Sequence, residues 1–381
     1  MGEEELGLKA FGSMCTFMEH TGEGIEVIIE AMTRNKDSLE AQISGCKALR
    51  EIMSGNFINQ DKAGGAGAIE AVLQALRSFQ DAELQEQGFG VLGNLAAFHA
   101  KNKAKIGQAG GVETLVSGLD PAGGVGIQLE ACQALCHVTS NSPDNQSKAG
   151  SCGAIQVTLA LCSNGTYGKL REVGVEVLGN LARLPENQGK IAKQRGVPLI
   201  LSAMLRGIGL GRLQEVGLGS GAFVLRQEAQ PGVLKVEEVA GGSSAGGNLG
   251  GRTGEMYETS PRMLEVGCQA LVNLASNNSE IRASIGPEGI IKVRRTDSTN
   301  LKTGTQNALS ISGIQIVLWG LLECAEHAGV QEQGFWLLYD LANDEENRRR
   351  MTELGVPDFA SRMSNKHNSS DARRLARLLS R

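Results

Sequence analysis

The sequence predicts an all-α chain, a solenoid of three-helix repeats, and three observations carry that prediction. One apolar segment recurs with a period of 43 residues. A second helical segment, usually opened by glycine, follows each copy about 18 residues later. The composition, 41% hydrophobic but only 4% aromatic, suits helices packed through small side chains better than a β-sandwich.

The recurring segment reads Gly-Phe-Gly-Val-Leu-Gly-Asn-Leu-Ala at 88–96, Gly-Val-Glu-Val-Leu-Gly-Asn-Leu-Ala at 174–182 and Gly-Cys-Gln-Ala-Leu-Val-Asn-Leu-Ala at 267–275. Diverged copies lie at 45–53, 131–139 and 334–342. Its third-from-last position is an anchor column: Glu51, Asn94, His137, Asn180, Asn273 and Asp340. Leucine stands two residues before every anchor (Leu49, Leu92, Leu135, Leu178, Leu271, Leu338). Six before it the column is small: Gly45, Gly88, Ala131, Gly174, Gly267 and Gly334. Leu170, Gly174, Leu178 and Leu181 form one stripe at helical spacing. The small residues let a neighbouring helix approach, at a cost in helix propensity of up to about 1 kcal/mol each.

The second segment appears as Ile69–Leu76, Val112–Leu119, Ile155–Leu161 and Val197–Met204, with Gly111 and Gly196 as turn residues before two of them. Between anchor and second segment lies a short polar helix such as Lys101–Gly107. Each unit therefore holds one short, one medium and one long helix. The Gly-Gly-Ile/Val opening and the Leu-x-Asn-Leu-Ala ending resemble the armadillo repeat, over roughly 25–225 and 262–363. The resemblance implies a right-handed superhelical solenoid whose third helices line a concave groove.

The period breaks twice. After Asn180 an anchor is expected at 223, where Phe223 stands, with Gly221 in the leucine column. Residues 226–261 read as a degenerate repeat carrying a Gly/Ser-rich flexible insertion at 240–254, between N-terminal repeats over 1–225 and C-terminal repeats over 262–381. About two dozen extra residues form a polar loop near 293–312. Arg373, Arg374 and Arg377 beside Leu375, Leu378 and Leu379 fit a capping helix with a polar outer face.

The chemistry of an enzyme is not legible. Gly246–Thr253 nearly matches a phosphate-binding loop, but Arg252 stands where the lysine is needed. The eight cysteines show no C-x-x-C pair, and Cys132 and Cys136, four apart beside His137, read as core. The expectation is no catalysis, no cofactor, no metal and no small-molecule substrate. A net charge of −5 argues against nucleic-acid binding. No apolar run is long enough to span a membrane, and Met1–Leu6 carries no signal-peptide core, so a cytoplasmic location is expected, with the nucleus as the alternative.

The anchor column is the candidate site. Asn94, Asn180 and Asn273 recur mid-helix, where asparagine is unfavourable. By resemblance to β-catenin and importin-α, such residues hold the backbone of an extended peptide, with His137 and Asp340 in the same register. An asparagine tying helices together is the competing reading. Trp336, four residues before Asp340, is the one match to the tryptophan column of importin-α-like receptors; Lys47, Gly90, Gln133, Glu176, Gly219 and Gln269 stand there otherwise. The expected function is a protein-binding adaptor or scaffold. A nuclear transport receptor of importin-α type and a non-catalytic regulatory subunit of an enzyme complex are the alternatives.

Overall fold

The computed structural model of the chain describes residues 24–163, 168–208, 233–237, 260–287, 291–296, 308–367 and 369–380. Two compact units divide it, Met1–Asn187 and Gln188–Arg381, a division earlier than the expected boundary at 225. In the first, α1 (Ile25–Arg34) and α2 (Leu39–Met53) are the second and third helices of an opening repeat. Three full repeats follow. They are α3 (Phe57–Ala66), α4 (Ala68–Ser78) and α5 (Ala82–Ala96); α6 (Ala100–Gln108), α7 (Gly111–Ser117) and α8 (Val125–Thr139); and α9 (Pro143–Ser151), α10 (Ala154–Ser163) and α11 (Gly168–Leu181). The unit boundary falls within α12 (Pro185–Lys193). The second unit continues with α13 (Gly196–Gly207), α14 (Pro261–Ala275), α15 (Ser279–Ile285), α16 (Gly313–Glu323), α17 (Ala328–Leu341), α18 (Glu345–Glu353), α19 (Val356–His367) and α20 (Ser370–Leu379).

The periodic columns become the core. All six leucines of the column from Leu49 to Leu338 are fully buried. Long helices start at side-chain caps: Ser38, Asp81 and Ser260 accept from Ala41, Leu84 and Met263 backbone N–H groups. The small column is where second and third helices touch. A Cβ on Gly174 would sit 2.5 Å from Cys162 Sγ, and one on Gly88 would sit 2.8 Å from Leu76 Cδ2. Where the column carries Ala131, the glycine stands on the facing element: a Cβ on Gly118 would lie 2.9 Å from that of Ala131.

A second asparagine column ties the first helices together. Asn102 Nδ2 donates to Leu95 O at 2.9 Å and to Gln60 O at 3.2 Å. Asn145 serves Val138 O and Lys103 O, Asn187 serves Leu181 O and Gln146 O, and Asn347 serves Leu341 O and Arg282 O. Each is buried, and each joins the end of the preceding third helix to the first helix of the repeat before. Room for the amide comes from glycine on that earlier helix. A Cβ on Gly64, Gly107, Gly150 or Gly286 would collide with Asn102, Asn145, Asn187 or Asn347 respectively.

The packing on either side of the stretch expected as a degenerate repeat, 226–261, joins α14 to α13. α14 is the third helix of the repeat opened by α12 and α13. Gly267 of its small column faces Met204 of α13, and a Cβ on Gly207 would lie 3.0 Å from Met263. Gln188 of α12 donates to Ser276 O just beyond α14, as Lys103 of α6 donates to Ser140 O just beyond α8. In this packing Asn273 takes the anchor position on the third helix that follows α13. The extra chain lies inside one repeat, between its second and third helices. The second expansion separates α15 from α16, where Gly313 packs against Ile285 as Gly111 packs against Ile106.

Both expansions contribute strands to one small antiparallel sheet of order β1-β2-β3: β1 (Val233–Glu237), β2 (Ile291–Thr296) and β3 (Ala308–Ile311). β1 pairs Val233 with Thr296, and β2 pairs Ile291 with Ile311. The solenoid itself is helical; the sheet is an addition, and β3 falls in the stretch expected as a polar loop. The near phosphate-binding loop at 246–253, the Gly/Ser-rich stretch at 240–254, Phe223 and residues 1–23 lie outside the described residues.

The first expansion is closed at its base, because Ser260 N donates to Gly207 O at 2.7 Å. Replacing residues 210–258 by a turn of a few residues is expected to leave a folded helical chain. Circular dichroism checks this; loss of the helical spectrum would show that α14 needs the excised chain.

The turn after four of the six third helices passes through the left-handed region, at Gly55 (φ 65), Phe98 (φ 61), Asn141 (φ 52) and Asn277 (φ 57). Glycine and asparagine suit that conformation; a bulky aromatic does not. Phe98 is also 84% exposed, with its ring edge-on to Phe57 at 5.6 Å. Phe98→Asn is expected to stabilise the first unit by about 1 kcal/mol, measured by thermal melting. A fall in stability would mean the Phe57 contact outweighs the strain.

Candidate functional site

The solvent-facing strip of the third helices carries the anchors. In the first unit α2, α5, α8 and α11 present Glu51, Asn94, His137 and Asn180 on this face. Glu51 and His137 are exposed, and the two asparagines are half-buried. Asn94 Nδ2 donates to Arg50 O on α2 at 3.3 Å, and Asn180 Nδ2 to Cys136 O on α8 at 3.1 Å. Each amide thus links its helix to the third helix before it. Oδ1 of both asparagines accepts no hydrogen bond from the described residues, and Asn94 keeps a second N–H.

His137 sits among these groups. Although the residue is exposed, the protein packed around it strips part of the ring's hydration and pushes its pKa down; Glu176 pulls it up, and Lys103 lowers it further. A neutral imidazole has one donor and one acceptor, the same pair a carboxamide offers. The face also carries internal ion pairs. Lys47 meets Glu83 at 2.5 Å, and Lys169 meets Glu172 at 3.5 Å. Arg50 reaches from α2 across α5 to Glu130 on α8, and its Nη1 donates to Gln87 Oε1 at 3.3 Å. The guanidinium lies on Gly90, where an added Cβ would be 2.8 Å from Arg50 Cζ.

In the second unit Asn273 is already engaged. Gln269 Nε2 donates to its Oδ1 at 3.2 Å, and Gln188 Nε2 to its carbonyl at 2.9 Å. Asp340 faces Arg282 at 3.6 Å; burial raises its carboxyl pKa, and Arg282 opposes the rise. Trp336 and Tyr339, 50% and 40% exposed, stand beside it on α17. The structure therefore places Asn94, His137 and Asn180 on one face of the first unit, and Asn273, Trp336 and Asp340 on the third helices of the second. Sequence reasoning missed Arg50, Gln87, Glu130 and Tyr339. The one linear signal was Gly90, which with Gly219 interrupts a column otherwise filled by large side chains.

The buried thiols of Cys46, Cys162 and Cys268 are pushed up to about 12 by desolvation, which keeps them protonated and weakly nucleophilic. No group of three or more metal-ligating side chains is found among the described residues. No described helix is long and apolar enough to cross a membrane.

No protein-family model matches the chain, and no curated protein matches it in sequence. Solved structures do. An engineered protein matches with a TM-score of 0.64 at 19% identity, over 94% of this chain and 69% of that one. A structure concerned with a phosphorylation switch in the cadherin–β-catenin interaction matches with a TM-score of 0.56 at 15% identity, over 93% of this chain and 66% of that one. A designed armadillo repeat protein in complex with the peptide (KR)4 matches with a TM-score of 0.52 at 16% identity, over 83% of this chain and 99% of that one. At such identities the likeness is one of fold. Together with the 43-residue period and the three-helix units, it gives this chain the fold of an armadillo repeat solenoid.

Proposed function

We propose that the chain is a non-catalytic scaffold that binds an extended segment of another protein along the third-helix face of its first unit. The observation that carries this reading is the free Oδ1 of Asn94 and Asn180 on half-buried amides, with His137 between them in sequence and register. An extended peptide presents unpaired backbone N–H and C=O groups, and burying them without partners is costly. A row of amides spaced one per repeat satisfies that backbone irrespective of its side chains. The fold supports the reading, since the designed armadillo protein it resembles holds a peptide. We place the protein in the cytoplasm, with the nucleus as the alternative.

The test starts from a partner recovered by affinity capture, whose binding segment is reduced to a synthetic peptide. Titration against the Asn94→Ala, Asn180→Ala chain then decides. Unchanged affinity, or a partner that binds only as a folded domain, would reject the groove reading.

A second reading, a receptor for basic peptides of the importin-α kind, draws on Trp336. Its exposed ring and the neighbouring Tyr339 could cover the stem of a lysine or arginine side chain. That reading requires Trp336→Ala to weaken binding of a basic peptide more than the two asparagine changes do.

A further inference from the structure

We infer that Arg50 is an internal stand-in for a basic residue of the bound partner: its guanidinium fills a recognition site made by Gly90, Gln87 and Glu130, and a partner's arginine or lysine side chain enters by displacing it. The inference rests on the peptide-binding reading of this face and names the side-chain chemistry the first unit selects.

Four observations meet at this point. First, the site has a floor. Gly90 is buried mid-helix in α5, in the column that elsewhere carries Lys47, Gln133, Glu176, Gln269 and Trp336. Its missing side chain leaves a depression on the helix, and the Arg50 guanidinium lies in it. Secondly, the site has acceptors suited to a cation. Gln87 Oε1 and a Glu130 carboxylate oxygen take two different N–H groups of the same guanidinium. Glu130 is the less exposed partner, its side chain 17% accessible against 32% for Arg50, so the carboxylate is the fixed wall and the arginine the cover.

Thirdly, Arg50 lies in the path of the proposed ligand. Its own carbonyl accepts from Asn94 Nδ2, so the side chain leaves the backbone beside the amide that would hold the peptide. A peptide following the anchors has to cross it. Fourthly, charge favours a cation as the replacement. Each lysine or arginine at Lys47, Arg50 and Lys169 is paired with a carboxylate of the same face. Glu51 and Glu86 lie on the same third-helix strips without an ion-pair partner among the described residues. Removing the arginine from Glu130 exposes a further carboxylate, which an acidic partner would find repulsive and a basic one attractive.

A long flexible side chain that a ligand must displace lowers apparent affinity and makes binding selective. A neutral side chain cannot repay the broken ion pair, whereas a guanidinium or ammonium remakes it on Glu130.

The experiment uses the full chain and a fluorescent alternating Lys-Arg octapeptide, with a Ser-Gly octapeptide of equal length as control. Arg50→Gln is expected to bind the basic peptide about tenfold tighter than the wild type, the size of one competing charge-assisted contact removed. Glu130→Gln, alone or with Arg50→Gln, should bind it no tighter than the wild type, and the Ser-Gly peptide should respond to none of the changes. Arg50→Met keeps the aliphatic stem over Gly90 and serves if the glutamine variant melts early. An unchanged or lower affinity in both Arg50 variants overturns the proposal. So does a gain that persists when Glu130 is also replaced, since net charge alone would then explain it. The two asparagine changes separate the underlying readings. If they weaken the captured partner's peptide while the Arg50 variants are flat, the groove stands and the stand-in falls; if they too are flat, both fall.

Discussion

Gly107→Ala is expected to destabilise the first unit by about 3 kcal/mol, although alanine is the better helix former by about 1 kcal/mol. The added methyl would collide with Asn145 Oδ1, and that amide has nowhere to go. It is 2% exposed and donates to Lys103 O at 2.9 Å and Val138 O at 3.0 Å. Moving it leaves Val138 O, in the last turn of α8, unpaired and takes the second bond from Lys103 O, which keeps its place in the α6 ladder. The loss is roughly 1–3 kcal/mol, to which the clash adds. Asn145→Ala should cost nearly as much, for the same two bonds. The doubly changed chain tests the mechanism, because the methyl at 107 then occupies space the amide has vacated. Its loss should fall short of the sum of the single losses by more than about 1 kcal/mol. Denaturant unfolding of the four proteins measures the cycle. A stabilised Gly107→Ala chain, or strict additivity, would mean that the glycine and the amide are not a coupled pair.

In the first unit, Asn94→Ala with Asn180→Ala should weaken a groove-bound peptide about 30-fold, at roughly 1 kcal/mol for each lost hydrogen bond. The same change removes two ties between third helices, to Arg50 O and Cys136 O. Those carbonyls are at a half-exposed position and can turn to water, so each tie should cost stability no more than about 1 kcal/mol. Both effects are therefore expected together, and their proportion is informative. Isothermal titration and thermal melting on the same protein give both numbers. A fall in stability with intact affinity would make the anchor asparagines helix ties alone. Asn273→Ala should matter less to a ligand, because its Oδ1 already accepts from Gln269.

The repeat was legible because burial imposes it. A leucine in the same place on every third helix and a small residue where the second helix crosses are conditions on one-dimensional spacing, and spacing can be counted. The two expansions were harder. Counting 43 from Asn180 lands on Phe223, whereas the helix that packs on α13 begins at Pro261; only the fit of Gly267 against Met204 shows that it closes the same repeat. The ladder of Asn102, Asn145 and Asn187 was in plain view with its period, yet asparagines in short polar helices look like solvated surface until their carbonyl partners are located. Arg50 and Glu130 are 80 residues apart and belong to no column, so nothing in the linear order announces that they meet.

The buried ladder also decides where this chain could lengthen during its history. Each ladder asparagine reaches back six or seven residues to the end of a third helix, as Asn102 does to Leu95 and Asn347 to Leu341. The turn between those helices is thus held at three residues or so, and a single added residue would pull the amide off its carbonyl. The turn before a third helix is measured in this way only where a buried glutamine stands near that helix's start: Gln42 donates to Met32 O and Asn35 O, Gln128 to Asp120 O and Gly123 O, and Gln331 to Leu321 O and Cys324 O. The matching position of α14 is Leu264, and one expansion entered there, between α13 and α14; the other entered between α15 and α16, and the Gly286–Asn347 pair survived both. A guest sequence grafted into this protein should be tolerated at 79–81 between α4 and α5, where Gln85 at the matching position bonds the exposed Gln80 side chain, and refused at 97–99 and at 120–124, where the chain is measured against its own core.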